Sequence, residues 1–340
     1  MKTVKERDSN IELLRIIAII MVMMGHALFR ACGAPSAEQI ASRPDISFLR
    51  CFAEALIIIA VNVFVFISGW YGIKANLKKL CSLIFQVLFA IWVINAALLI
   101  MGEPMSLKLM LRSVFMTQYW FIQAYFVLFV FSPVLNSFLE SSSEKELFGL
   151  LGSFLIIQLL WGWLPMANNR DWFDYGYSPL SFFFLYMLAG YIHKYRWHQL
   201  EKYSAQLWFS VYLMLSLVLS LLAFGELKYG LPLWLLGGGI IYYSAPLVIM
   251  SAIAFSLAFL KMRFKCSVVN IAAKSCLAIY IVHYHELLFP EFLNIVRDAV
   301  ATKAIVGIVK SCVGIILLTL IVSVVIDFFR QKLWKLIIGE

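Results

Sequence analysis

Charge is what this sequence has least of. Asp, Glu, Lys and Arg make up 14% of its 340 residues, against about 25% in ordinary soluble domains, while 63% are apolar and the mean hydropathy is +0.88. A soluble fold of about 300 residues still exposes roughly a quarter of its unfolded surface, too much to cover with so few polar groups. Lipid is the solvent the composition fits. The six cysteines stand singly in or beside apolar runs, with no Cys-x-x-Cys and no histidine cluster at metal spacing, so neither a disulfide framework nor a metal is expected. A Gly-x-Ser-x-Gly elbow, a Walker loop and a Gly-x-Gly-x-x-Gly turn are all missing, which counts against the usual hydrolase and nucleotide-fold schemes. The net charge of +9 reports membrane orientation before it reports a ligand, and no nucleic-acid partner is expected.

What is there instead is a series of apolar runs: Ile16 to Phe29, Leu49 to Ile73, Leu80 to Met101, Trp120 to Leu139, Leu147 to Leu164, Leu180 to Ile192, Leu207 to Phe224, Trp234 to Leu260, Val268 to Phe289 and Ile305 to Phe329. At ~20 residues per crossing they predict an all-α polytopic bundle of about ten transmembrane helices. Residues 1–340 read as a single integral-membrane domain without a separate soluble one. The first run reads as an uncleaved span, because a signal h-region of ~7 to 15 residues has no use for a buried histidine such as His26. The sixth is short, and Pro179 marks its start. Lys and Arg concentrate in the alternate connections that share a side with the N-terminus, which places both termini in the cytoplasm and the protein in the cell (inner or cytoplasmic) membrane. Asn168 to Asp171 read as a polar outer loop, and Gly237 to Gly239 as a site of close helix approach or a bend.

Ionisable groups inside a bilayer cost roughly 2.5 to 3.5 kcal/mol on insertion scales, so each one calls for a reason. Arg15 and His26 lie on the first run, eleven positions apart, about three turns and ~16 Å along one helix face. One reading is an anionic ligand held by Arg15 while His26 acts farther along as a general base or nucleophile, near-neutral pKa being what suits imidazole to that work. The plain alternative is a snorkelling arginine and a histidine that satisfies a neighbouring helix. Lys74, Lys78 and Lys79, with Arg15 and Arg7 on the same side, form a candidate phosphate-binding mouth. Positive-inside topology or contact with anionic lipid accounts for the same residues.

The fourth run opens with Trp120 and ends its first turn near Tyr125, either as an interfacial aromatic belt or as the outer mouth of a site that holds a sugar or lipid-linked acceptor. Tyr280 and His283, three apart on the ninth run, are neighbours on a helix and are candidate substrate contacts or packed side chains. His285 and Glu286 are expected at the outer interface. Glu54 on the second run is either an interfacial carboxylate or a substrate group paired with Arg50 or a histidine, and Asn62 follows it two turns later.

Taken together, Glu12-Leu-Leu-Arg15 followed after ten residues by His26, Phe66-Ile-Ser-Gly69, Tyr119 to Phe121 with Ser132-Pro133, and Ser275 to His283 resemble the membrane acyltransferase 3 family. The resemblance implies transfer of an acyl group, often acetyl, from cytoplasmic acyl-CoA (acetyl-CoA) as co-substrate to a hydroxyl of a cell-envelope carbohydrate or lipid-linked glycan. It implies that Arg15 helps hold the CoA phosphates and that His26 acts at the thioester. Where many members carry Arg-x-x-Arg before the third span, this sequence has Lys74, Lys78 and Lys79, point charges without the bidentate fork of arginine. Two other classes share the buried polar set: a carrier or flippase for an envelope glycan precursor, and a second membrane O-acyltransferase family whose histidine would fall late, at His283.

Overall fold

The computed structural model describes residues 8–164, 172–231, 240–303 and 305–339. Arg7, the Asn168 to Asp171 loop, Gly237 to Gly239 and the Trp234 start of the eighth run lie outside them. Among the described residues every regular element is helical. In chain order these are α1 (Ser9–Gly25), α2 (Ala37–Ser42), α3 (Pro44–Ile57), α4 (Ala60–Tyr71), α5 (Leu77–Ile100), α6 (Leu107–Val114), α7 (Trp120–Ser141) and α8 (Glu144–Gly162). They are followed by α9 (Pro179–Tyr191), α10 (Trp197–Leu200), α11 (Ala205–Tyr229), α12 (Pro246–Lys261), α13 (Ser267–Ala272), α14 (Cys276–His283), α15 (Leu288–Thr302) and α16 (Ile305–Ile338).

Seven helical segments among the described residues are long and apolar enough to cross a bilayer: Ser9–Arg30, Pro44–Tyr71, Leu77–Ile100, Trp120–Ser141, Glu144–Gly162, Ala205–Tyr229 and Val306–Ile338. An eighth is counted if α13–α14 and α15, bent by 83° about a short break, form one span. The remaining two apolar runs give the shorter helices α9, of 13 residues, and α12, of 16. At 1.5 Å per residue each is less than ~30 Å long. Pro179 does begin its helix, at the N1 position behind the Ser178 cap, where a missing N–H costs nothing. The seven long spans make this an integral membrane protein, and α16 turns Leu317, Leu318, Ile321 and Val325 outward on the face that lipid would cover.

Three buried clusters organise the bundle. One joins α4, α7, α8 and α9 around Phe66, Leu128, Leu147 and Tyr186. A second joins the end of α1 to α5, α14 and α15 through Met23, Ile91, Ile279 and Phe292. The third packs the start of α1 on α4, α11 and α12 through Leu14, Val63, Leu219 and Val248. α1 feeds both of the last two clusters, and its residues between those contacts, Ile19 among them, line the space that separates them. The Phe66 to Gly69 segment has a packing reason as well: α4 and α9 approach so closely that a Cβ on Gly69 would fall on the Tyr186 carbonyl.

Candidate active site

A cavity of about 970 Å³ runs through the middle of the bundle, at the top of the range that small-molecule sites occupy. Arg15, Ile19, Val22, Gly25, His26, Phe29 and Arg30 of the first span form one wall. Both members of the Arg15 and His26 pair therefore face a shared interior rather than lipid.

At one end Glu12 and Arg15, three apart on α1, make an ion pair at 3.0 Å in which the carboxylate is buried and a third of the arginine side chain stays accessible. Glu12 thus aims the guanidinium without covering it. Lys274, Ser82, Gln86, Arg330 and Gln331 line the cavity too. A carboxylate that no motif announced ties four side chains there together. Asp327, buried in α16, accepts hydrogen bonds from Arg330 Nε at 2.6 Å, Gln331 Nε2 at 2.7 Å, Ser275 Oγ at 3.1 Å and Gln86 Nε2 at 3.3 Å. A charge out of water needs such partners, and by holding them Asp327 brings α5, the turn at the start of α14 and α16 to one point. Its signal was legible: an acidic residue inside an otherwise apolar run is subject to the same membrane argument as Arg15.

Lys74, Lys78 and Lys79 are exposed and do not belong to the cavity wall. Lys79 Nζ donates to the Lys74 carbonyl at 2.8 Å. Lys78 and Lys79 nevertheless sit one turn before Ser82, which does line it, so they fringe the same end.

Toward the other end His26 opens a π-helical turn, His26–Arg30, in which Ala31 N–H donates to the His26 carbonyl at 3.0 Å. Such bulges recur at functional sites. His26 Nδ1 lies 2.8 Å from His283 Nε2. The ring also stacks on Tyr284 at 5.2 Å and meets the edge of Phe289 at 5.1 Å, so three side chains from α14, α15 and the break between them fix its plane. His26 is half-buried and in the cavity wall, whereas His283 is buried behind it and is not.

Glu54, Trp120, Tyr125 and Tyr280 all contribute to the wall. Trp120 packs at 4.6 Å on Tyr177 and at 6.0 Å on Tyr243. Tyr125 shares a hydrogen bond with Ser68 at 3.4 Å, and the buried Tyr280 hydroxyl makes none among the described residues. Arg50 donates to Gln39 and to the carbonyls of Cys32 and Gly33 rather than to Glu54. Asn62 is structural, donating to the Tyr243 carbonyl at 2.9 Å. His285 departs from the expected solvated position, whereas Glu286 stays partly exposed. The 83° bend folds the chain inward, so that His285 is fully buried and donates from Nε2 to Asn95 Oδ1 at 3.0 Å, while Glu286 pairs with Arg112 at 2.8 Å. Sequence reasoning also missed Arg30, Tyr177, Glu226, Tyr243 and Tyr284, all in the wall, because they lie at helix ends and in loops where no periodicity selects them.

The profile of the acyltransferase 3 family, described as an acyltransferase domain, matches residues 8–327. The chain belongs to that family. The match runs from just before α1 to Asp327 and takes in the cavity wall except Arg330 and Gln331, and the family resemblance read from the sequence holds. This membership sets aside the second membrane O-acyltransferase family. No curated protein and no solved structure matches the chain.

Proposed function

We propose that this membrane acyltransferase moves an acyl group, acetyl in the first instance, from cytoplasmic acyl-CoA to a hydroxyl of a cell-envelope carbohydrate or lipid-linked glycan. The observation that carries this reading is the single cavity that has a guanidinium at one end and an imidazole farther along the same wall. With both termini cytoplasmic, the Arg15 end opens inward. There Arg15, Lys274 and Arg330, fringed by Lys74, Lys78 and Lys79, face the phosphates of CoA, and the pantetheine arm carries the thioester up the first span to His26. The acceptor enters from the other end, among Glu54, Trp120, Tyr125 and Tyr280, where aromatic faces and single polar groups suit a sugar.

In the direct route His26 takes the proton of the acceptor hydroxyl as its oxygen bonds to the thioester carbonyl carbon. The C–S bond then breaks and the imidazolium returns the proton to the CoA thiolate. In the covalent route the same nitrogen carries the acyl group between donor and acceptor.

Purified protein in liposomes, given labelled acetyl-CoA and candidate glycans, should release CoA and form labelled product. His26→Ala should lower kcat by at least the ~10²-fold that general acid–base catalysis supplies while the variant still folds and inserts. Arg15→Ala should chiefly raise KM for acetyl-CoA. Undiminished product from His26→Ala removes the assignment, and glycan counterflow in the absence of acyl-CoA would mark a carrier instead.

A further inference from the structure

The two histidines are not equivalent, and their hydrogen bonds say which nitrogen of His26 reacts. His283 Nδ1 lies 3.2 Å from the Ile279 carbonyl, one turn back on α14. A carbonyl oxygen only accepts, so that nitrogen must carry a hydrogen. In neutral His283 the other nitrogen, Nε2, is then a bare acceptor, and it is the one 2.8 Å from His26 Nδ1. Two N–H groups cannot face each other at that distance, so the hydrogen between the rings belongs to His26 Nδ1. A ring that keeps its hydrogen on Nδ1 presents its lone pair at Nε2.

We infer that His283 is a positioning residue that locks His26 as the Nδ1–H tautomer, making Nε2 the nitrogen that takes the proton or the acyl group. This rests on the reading of His26 given above and reassigns His283 from substrate contact to support. Its burial fits that role: the residue is 2% exposed, packs against Phe292 at 6.0 Å and is absent from the cavity wall, so no substrate reaches it. When His26 Nε2 gains a proton, the bond from His26 Nδ1–H to His283 Nε2 becomes charge-assisted, and such bonds are shorter and roughly twice as strong as neutral ones, so His283 supports the imidazolium without itself reacting. A carboxylate does this work in the Ser-His-Asp arrangement, where the wrong tautomer costs about 10⁴ in kcat.

The test uses the full chain in nanodiscs with ¹⁵N-labelled histidine, His26 being assigned by the signal that His26→Ala removes. The wild type should show a protonated Nδ1 and a bare Nε2 at His26. His283→Leu, which removes the acceptor, should lower kcat by about 10² or more with KM for acetyl-CoA unchanged, and should free the His26 tautomer. His283→Gln, whose amide oxygen can accept the same hydrogen, should recover at least a tenth of wild-type kcat and restore Nδ1–H. A bare Nδ1 in the wild type overturns the inference, and so does a folded His283→Gln as inactive as His283→Leu. Full turnover by His283→Leu alongside an inactive His26→Ala sinks this inference and leaves the role of His26 standing. If the wild type itself transfers nothing, acyl transfer is the reading that fails, and the tautomer spectrum alone decides this one.

Discussion

Asp327 shows how far a single side chain organises this site. Its carboxylate is wholly buried and Arg330 nearly so, which separates this pair from the exposed Arg43 and Asp45 pair at the start of α3. An exposed pair is worth at most about 1 kcal/mol, whereas removing one partner of a buried pair costs roughly 3–5 kcal/mol because the other charge is stranded. Asp327→Leu should therefore cost stability on that order, read as a lower unfolding temperature in detergent. It should also raise KM for acetyl-CoA, since Arg330 loses the anchor that keeps it at the cavity. Arg43→Ala should change neither by a measurable amount. Arg15 stands between these cases: Glu12 is buried, Arg15 is a third accessible, and the pair reads as orientation of a cation kept available to an anion.

At the scale of elements, the narrowest point is the α4–α9 crossing. Gly69 permits it, because any Cβ there meets the Tyr186 backbone rather than a side chain that can move. Tyr186 in turn hydrogen-bonds Asn136 at 2.6 Å and accepts from Ile73 N–H at 2.7 Å, so the crossing also fixes the α4–α5 connection that precedes the lysine fringe. Overpacking of a filled core costs about 1–3 kcal/mol. Gly69→Ala should reach or exceed the upper end, measured as lost thermal stability in detergent, and should depress transfer by moving Ser68 and α4 at the cavity. The π turn at His26 and the 83° break after His283 are the other two decisive elements. Together they bring residues 257 apart in sequence into contact, and neither is visible as periodicity.

On the scale of the whole molecule, the cavity needs a direction, and the basic residues supply an expectation. Lys194 donates to the carbonyls of Leu139, Glu140 and Ser142 at the end of α7, and Lys261 to that of Glu201, so part of the basic excess also closes helix ends. A cysteine placed at Lys74 should react with a membrane-impermeant maleimide only after the inner face of the membrane is opened, and one placed at Arg43 in intact cells, each scored against the parent's own labelling. The opposite pattern would reverse the proposed entry of acyl-CoA.

The sequence by itself determined the solvent, the helical class and the first-span pair, because scarcity of charge and the cost of burying it act residue by residue and need no neighbour. It also carried Trp120, Tyr125 and Tyr280 as candidates, though each left a belt or packing role equally open. Tertiary structure decided which of these meet. Only packing could turn His283 into the partner of His26 and leave the three lysines at the fringe. Only the bend after α14 could draw His285 inside, and only the convergence of α5, the turn before α14 and α16 could surround Asp327 with donors. The physical reason is that cavity walls and hydrogen-bond partners are set by contacts between elements far apart in the chain, and nothing local in a sequence records them.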